Sequence, residues 1–470
     1  MCGFFQVIQK NKPIDKKLFL DSLSSMRHRG PDASGHKFTH DQKNNVFMGF
    51  GHQRLSILDL DERSNQPFVE NQNILLFNGE VYNYKSIKSQ YQKRSVLYHT
   101  NSDTEVVAKS FSMQNFEDIH KFNGMWSLSL YNAHDNSIFL SRDRYGKKPL
   151  FYYHDKDVFC VSSTIKAIKQ YLNTNLAFNE EQLLNYLLHG DMFPTNTTQT
   201  HFDNIKQILP GHNGYFDIEN WEIKQKRYFN ACTDNIDEDY SEDNLVKKLK
   251  QSVELRLTSD RPIALLLSGG IDSSLILSIL HHYGYHENVH VFMGDTGRSD
   301  DYKYAKKCAN QLNIKADTIV SDYSSNAFDR FLQICLHHEK AFPFNGNAIA
   351  MSQMYEEIAQ NDIPVVLDGS GGDELFGGYW ERYIPFALKD AQYNNDQEWI
   401  NHMKSFNKNK KEIQNYENYI KENSLFKKYF NPFLKIPMKL IEFLKLKFLI
   451  IKIMSIFLQI KKIVFLMNLL

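Results

Sequence analysis

The stretch RPIALLLSGGIDSSLILSIL, Arg261 to Leu280, decides the fold of the second half of the chain. PIALLL reads as a buried strand, SGG as a tight turn with no Cβ at two positions, and DSSLILSIL as the opening of a helix. Such a turn aims several backbone N–H groups and the positive end of a helix at one point, which makes it a pyrophosphate cradle. No GxxxxGK[ST] pattern is present, so this is not a Walker A loop. Working outward, VHVFMGD (Val289 to Asp295) reads as a second strand and DYKYAKKCANQL as a helix. IPVVLDGSGGDELFGGY, Ile363 to Tyr379, reads as a strand running into a glycine-rich loop. Strands alternating with helices predict an α/β domain whose parallel sheet holds the nucleotide at the carboxyl ends of its strands.

The first half has a different grain. From Val46 to Tyr153, short alternating or apolar runs recur between turn residues, among them NVFMGFGHQRLSILDL, NILLFNGEVYNY, MWSLSLYNAHDNSIFLSRD and KPLFYYH. They predict strands of layered antiparallel sheets, with TEVVAKSFSMQ, from Thr104, as a helix. The chain opens MCGFF, and removal of Met1 would put Cys2 at the N-terminus. The α-amine of such a cysteine titrates near ~7.7–8.0, close enough to neutrality to serve as the base for its own thiol. On MCG alone, a small residue at position 2 is an equally good reading, and other segments have to decide.

Composition narrows the field. A chain of 470 residues suggests two domains. Lys+Arg and Asp+Glu are both 55, so no net charge favours nucleic acid or anionic lipid. The five cysteines, Cys2, Cys160, Cys232, Cys308 and Cys335, include no CxxC pair and fit a reducing cytoplasm. No basic region followed by an apolar run marks a signal peptide near the start.

MCGFF, RHRGPDASG (Arg27 to Gly35), GHQRLSILD (Gly51 to Asp59), FNGEVYNY (Phe77 to Tyr84), NSDTEV (Asn101 to Val106), FNGMWSLSLYN and RDRYGKKPLFYY, in that order, resemble the glutaminase domain of class II glutamine amidotransferases. The resemblance implies an α+β N-terminal-nucleophile hydrolase with two stacked antiparallel sheets between helices. It also implies roles: Cys2 as nucleophile, Asn78 and Gly79 as the oxyanion hole, Arg54 on the glutamine α-carboxylate, and Glu80 and Asp103 on its α-ammonium. Taken singly, Arg54 and Asp103 read equally as surface ion-pair members, and Asn78-Gly79 as a hairpin turn. ILPGHNGYFDIENWEIKQKRYF, Ile208 to Phe229, resembles the closing hairpin of that family, and TDNIDEDYSED, Thr233 to Asp243, reads as a solvated linker.

The S-G-G-x-D-S form of the second half resembles ATP pyrophosphatases that adenylate a carboxylate, and the two halves together resemble glutamine-hydrolysing asparagine synthetases. That resemblance assigns ATP and pyrophosphate to Leu267, Ser268, Gly269, Gly270, Asp272, Ser273, Met293, Asp368 and Gly369, and Mg2+ to Asp272 and Asp373. It implies small-molecule partners (glutamine, ATP and aspartate), no nucleic acid and no membrane, and it leaves a homodimer open. The expected domains are 2–215 (glutaminase), 216–243 (hairpin end and linker), 244–390 (incomplete ATP-pyrophosphatase domain) and 391–470 (atypical tail).

Departures from the family pattern bear on the acceptor and on the tail. Lys147 stands where an apolar residue is usual, Thr164 where an acid is usual, and Ser370 where asparagine-forming members carry glutamate. FPFNGNAIA, Phe342 to Ala350, looks more like a branch linked to surface-polysaccharide clusters, whose acceptor is a sugar acid. No E-A-R-V-P-F-L-D-like segment or matching lysine follows Tyr379. The end, Asn431 to Leu470, is rich in Lys, Ile, Leu and Phe, as in out-of-frame reading of an AT-rich gene. Its longest charge-free runs, Ile453 to Ile460 and Ile463 to Leu470, are eight residues each, short of the ~20 that span a bilayer. The expectation is a truncated or frameshifted C-terminus. Two readings stand beside the synthetase, a glutaminase with a disabled synthetase half and a non-catalytic remnant.

Overall fold

The computed structural model describes residues 1–113, 116–189, 197–230, 241–297, 299–322, 326–339 and 348–376. The linker residues 231–240 with Cys232, most of the Phe342–Ala350 segment, Gly377–Tyr379 and the tail from Asn431 lie outside the described residues.

Sixteen strands and eleven helices are described. The strands are β1 (Gly3–Lys10), β2 (Ala33–Asp41), β3 (Val46–Arg54), β4 (Phe68–Glu70), β5 (Asn73–Val81), β6 (Gly124–Asn132), β7 (Ser137–Arg142), β8 (Phe151–His154), β9 (Val158–Ser162), β10 (Ile205–Gln207), β11 (His212–Asp217), β12 (Glu222–Arg227), β13 (Ile263–Leu267), β14 (Val289–Asp295), β15 (Ala316–Val320) and β16 (Val365–Leu367). The helices are α1 (Lys16–Ser24), α2 (Tyr84–Gln92), α3 (Asp103–Met113), α4 (Ile165–Leu172), α5 (Glu180–His189), α6 (Glu242–Arg256), α7 (Ile271–His282), α8 (Asp301–Gln311), α9 (Ala327–His338), α10 (Ala348–Gln360) and α11 (Gly372–Phe376).

Two six-stranded antiparallel sheets make up the first part, in the orders β10-β8-β9-β1-β3-β2 and β12-β11-β7-β6-β5-β4. Alternation along each strand decides what faces what. Phe4 and Ile8 of β1 and Ile74 and Leu76 of β5 point into one buried cluster between the sheets, together with Phe50, Leu140, Phe159 and Phe216. The intervening residues face outward. Phe5 stacks on Phe19 of α1 at 5.2 Å, and Leu75 and Phe77 pack beneath α2 and α3. The result is helices, sheet, sheet, helices, the layered N-terminal-nucleophile hydrolase arrangement expected from the sequence. The hairpin β11–β12 pairs through β11 with β7, so the second sheet runs on to Arg227.

The later sheet is parallel, in the order β15-β14-β13-β16. β13, IALLL, is buried along its whole length, as a central parallel strand covered on both faces requires. No described helix is long and apolar enough to cross a membrane.

The described residues group into two compact units, 1–269 with 276–367 and 270–275 with 368–376. Specific bonds join the two sides of the 231–240 linker within the first unit. Asp260 accepts the Asp59 N–H at 2.7 Å and donates its own N–H to the Ile57 carbonyl at 2.9 Å. Arg261 lies 3.9 Å from Asp32, and Glu339 accepts the N–H groups of Ile165 and Lys166.

Candidate active site

Cys2 sits at the mouth of β1, half-buried. Its Sγ accepts the Leu55 N–H at 3.4 Å, and its carbonyl accepts Arg29 Nε at 3.1 Å. Two residues on, Phe4 donates its N–H to Ser163 Oγ at 3.2 Å and accepts the Ser163 N–H at 3.0 Å. Burial pushes the Cys2 thiol up, against the pull of the positive amino terminus and the Leu55 N–H. Burial also lowers the Met1 terminal amine from 8.0 to about 5. In this chain Met1 precedes Cys2, so the Cys2 nitrogen is in a peptide bond until Met1 is removed.

Asn78, Gly79 and Glu80 follow one another on β5, opposite Ser127, Trp126 and Met125 of β6. Asn78-Gly79 therefore lies within a strand and not in a hairpin turn. The Asn78 amide is fully buried, bonds Ser127 Oγ through its nitrogen at a long 3.4 Å, and has no partner for its oxygen. Because an amide's N and O exchange on a half-turn, one end is satisfied by the serine and the other is unspent. Position 79 has no room for a side chain, since a Cβ there would lie 2.2 Å from the Met125 carbonyl oxygen.

Asp103, the first residue of α3, is buried and accepts the Val81 N–H at 2.9 Å. Burial lifts its carboxyl from 3.8 to about 6. Burial, then the neighbouring Asp103 charge, lifts Glu80 from 4.5 to about 7. Among the described residues neither carboxylate forms an ion pair. Two acids so placed can pair with a cation. Lys148, which sequence reading passed over, is buried on this side of the site within electrostatic reach of Glu80 and Cys2, and burial lowers its pKa.

Arg54 is engaged by its own loop. Its terminal nitrogens donate to the carbonyls of Leu58, Asp59 and Asp61 and to Asn65 Oδ1, at 2.5–3.1 Å. Those four bonds use both arms of the guanidinium fork, because the Ser56–Asn65 loop folds back over it with its carbonyls inward. The arginine holds the loop that carries Leu55 and its N–H over the thiol; a bidentate grip on a substrate carboxylate would need these bonds to be exchanged.

In the first unit, Leu267 ends β13 in register with Met293 of the adjacent parallel strand β14, and Ser268 and Gly269 follow Leu267 directly. Gly269 has φ +85°, and a Cβ there would meet the Asp301 carbonyl at 2.3 Å, so only glycine lets the loop turn against the start of α8. In the second unit, Gly369 and Gly372 lie directly on the residues of the loop. A Cβ at Gly369 would stand 2.9 Å from Ser273 N, and one at Gly372 would stand 2.4 Å from Asp272 Oδ2. Gly270 accepts from Ser273 Oγ at 3.4 Å, and Asp368 accepts the Ser370 N–H at 3.0 Å. Burial, then Asp373 and Glu374, push the Asp272 carboxyl up. No group of three or more His, Cys, Asp or Glu among the described residues has metal-binding geometry. A pair of acids fits Mg2+, which takes one or two carboxylates and completes its shell with phosphate oxygens and water.

Residues 1–229 match the glutamine amidotransferase domain family, and residues 244–434 match the asparagine synthase family. A Methanocaldococcus jannaschii protein provisionally named asparagine synthetase (glutamine-hydrolyzing) 2 is 29% identical over 81% of this chain and 76% of its own length. Asparagine synthetase (glutamine-hydrolyzing) 1 of Bacillus subtilis is 30% identical over 83% of this chain, which spans 60% of that relative. Amidase chyE of Penicillium rubens is 29% identical over 76% of this chain, which spans 54% of it. Among solved structures, glutamine phosphoribosylpyrophosphate amidotransferase from B. subtilis overlaps at TM-score 0.37 and 14% identity, covering 78% of this chain and 91% of that one.

Proposed function

Because the chain belongs to the family that joins a glutamine amidotransferase domain to an asparagine synthase domain, we propose that it is an ATP-dependent, glutamine-hydrolysing amidoligase. It would release ammonia at Cys2 and use it to amidate a carboxylate, giving glutamate, AMP and pyrophosphate. The observation that supports the glutamine half is the half-buried Glu80 and the buried Asp103, neither in an ion pair and Glu80 within electrostatic reach of the amino terminus, with the half-spent Asn78 amide two residues before Glu80 on β5.

With Met1 removed, the α-amine takes the Cys2 thiol proton as sulfur attacks the side-chain carbonyl of glutamine. Asn78 and the Gly79 N–H receive the oxyanion, and each such donor contributes about 2.7–4 kcal/mol to the barrier reduction. The amine then returns the proton to the leaving nitrogen, ammonia departs, and water hydrolyses the thioester to glutamate. Glu80 and Asp103 hold the substrate ammonium, and Arg54 fixes the loop that closes over sulfur.

Bound ATP with Mg2+ would supply activation of the acceptor carboxylate. Toward it the chain offers the Ser268–Ser273 turn, Leu267, Met293, Asp368 and Gly369, with Asp272 and Asp373 for the metal. Aspartate is the proposed acceptor, following the names of most relatives. A second reading, amidation of another carboxylate such as a sugar acid, is favoured by Ser370 and by the presence of amidases among relatives of equal similarity. The proposed setting is the cytoplasm, with small molecules as partners.

The test assays glutamate release and ATP-dependent AMP formation separately, in the wild type and in Cys2→Ala. The expected result is loss of glutamate release in Cys2→Ala, with ammonia-driven AMP formation unchanged. Glutamate release that persists in Cys2→Ala would overturn the nucleophile assignment.

A further inference from the structure

Glu339 ends α9 in the second half of the sequence, yet its carboxylate belongs structurally to the first. Its two oxygens accept the N–H groups of Ile165 at 2.7 Å and Lys166 at 2.6 Å, the first two amides of α4. An α-helix leaves these donors without partners of its own, and a negative charge beside them is favourable. The helix's own N-cap, Thr164, serves only Ala167 N, at 3.4 Å. Thr164 is the position where the family resemblance calls for an acid; in this chain the charge at the helix start comes from Glu339, 174 residues from Ile165.

The same few residues grip the strand of the thiol. Ser163 exchanges two bonds with Phe4, Ser162 Oγ donates to the Phe4 carbonyl at 3.2 Å, and the Thr164 N–H donates to Ser162 Oγ at 3.0 Å. Arg29, whose Nε holds the Cys2 carbonyl, also faces the Glu339 charge. Beside them the His28 and His337 rings meet at 5.1 Å. Glu339 itself, the C-cap of α9, sits at φ +54°, the left-handed conformation in which many helices end.

We infer that Glu339 is a positioning residue: its carboxylate clamps the Ser162–Lys166 corner from the other half of the chain and so fixes the Cys2–Phe5 segment for reaction. This rests on Cys2 being the nucleophile. A helix cap and a cross-chain clamp make different demands, and an acid placed on α4 itself separates them. Thr164→Asp restores a charge at the helix start but not the tie to α9.

The experiment uses the full chain with three variants, Glu339→Ala, Glu339→Gln and the double variant Thr164→Asp, Glu339→Ala. It reads glutamate-release kinetics, thermal midpoint and amide hydrogen exchange at residues 3–5. For Glu339→Ala, kcat should fall about tenfold with the glutamine KM within about twofold, the pattern of a displaced reacting group and not of lost binding. Exchange at Gly3–Phe5 should quicken by a similar factor. Glu339→Gln, which keeps one acceptor, should recover part of kcat. The double variant should recover the thermal midpoint but neither kcat nor exchange protection. Recovery of all three by the double variant would reduce Glu339 to a helix cap and overturn the inference, as would an unchanged kcat and exchange in Glu339→Ala. If the wild type releases no glutamate, the proposed function fails by itself, and the exchange measurement still decides the clamp.

Discussion

Replacing Glu80 with glutamine should make this protein more stable and a worse glutaminase at once. Burial and the neighbouring Asp103 raise the Glu80 carboxyl from 4.5 to about 7. At about 1.36 kcal/mol per pH unit, keeping it ionised in the folded chain costs about 3 kcal/mol relative to the unfolded chain. The folded state binds the Glu80 proton more tightly than the unfolded state does. The carboxyl's contribution to stability is therefore fully present below pH 4.5, declines as pH rises, and is gone above about 7. Glutamine, similar in shape and uncharged at every pH, removes that decline. The difference in unfolding free energy between Glu80→Gln and wild type should be near zero at pH 4.5 and grow to about 3 kcal/mol in favour of the variant at pH 8. Function should move the other way, because a charged hydrogen bond to the substrate ammonium is worth about 1.5–3 kcal/mol, so the glutamine KM should rise about 10- to 100-fold. The assays are urea unfolding at pH 5 and pH 8 and glutamate-release kinetics at pH 8. A variant no more stable than wild type at pH 8, or a difference that shrinks between pH 5 and 8, would refute the argument that this carboxylate is held charged at a cost.

Asn78→Ala should lower kcat for glutamate release about 10²- to 10³-fold with a small change in KM, since it removes an oxyanion donor; a drop confined to KM would assign Asn78 to binding instead. Asp272→Asn and Asp373→Asn should each abolish ATP-dependent AMP formation and leave glutamate release intact, and their thermal midpoints should not fall, because crowded carboxylates are relieved. Loss of glutamate release in a folded Asp272→Asn variant would show that the two chemistries do not have separable sites.

Much of this architecture could be read in advance because its causes are local. Alternation along GFFQVIQK and NILLFNGEV gives each strand a core face, and IALLL, apolar throughout, can only be a strand covered on both sides. SGG announces its turn because Gly269 alone can take φ +85° against the backbone of Asp301. The unread parts depend on residues far apart in sequence. Nothing in HHEK marks Glu339 as the partner of Ile165, and nothing in LTSDRP marks Asp260 as the partner of Asp59; each bond closes a loop of more than 170 residues. Arg54 was legible as a residue of the site, but its occupation by carbonyls follows from how the Ser56–Asn65 loop folds, which periodicity does not report. Lys148 was hidden beside Lys147 in a run that reads as solvated charge until burial is known.

The bonds across the linker also limit how this protein could be rebuilt. The 231–240 segment looks like a natural place to cut and graft a foreign synthetase half onto this glutaminase. A chimera joined there would inherit a first half with three backbone donors, at Asp59, Ile165 and Lys166, whose acceptors Asp260 and Glu339 had been left behind. A donor left unsatisfied under a new interface costs about 1–3 kcal/mol, so three of them would consume much of a domain's margin of stability. A graft that works should carry Asp260 and Glu339 with the glutaminase, or take its synthetase from a donor with carboxylates at both places.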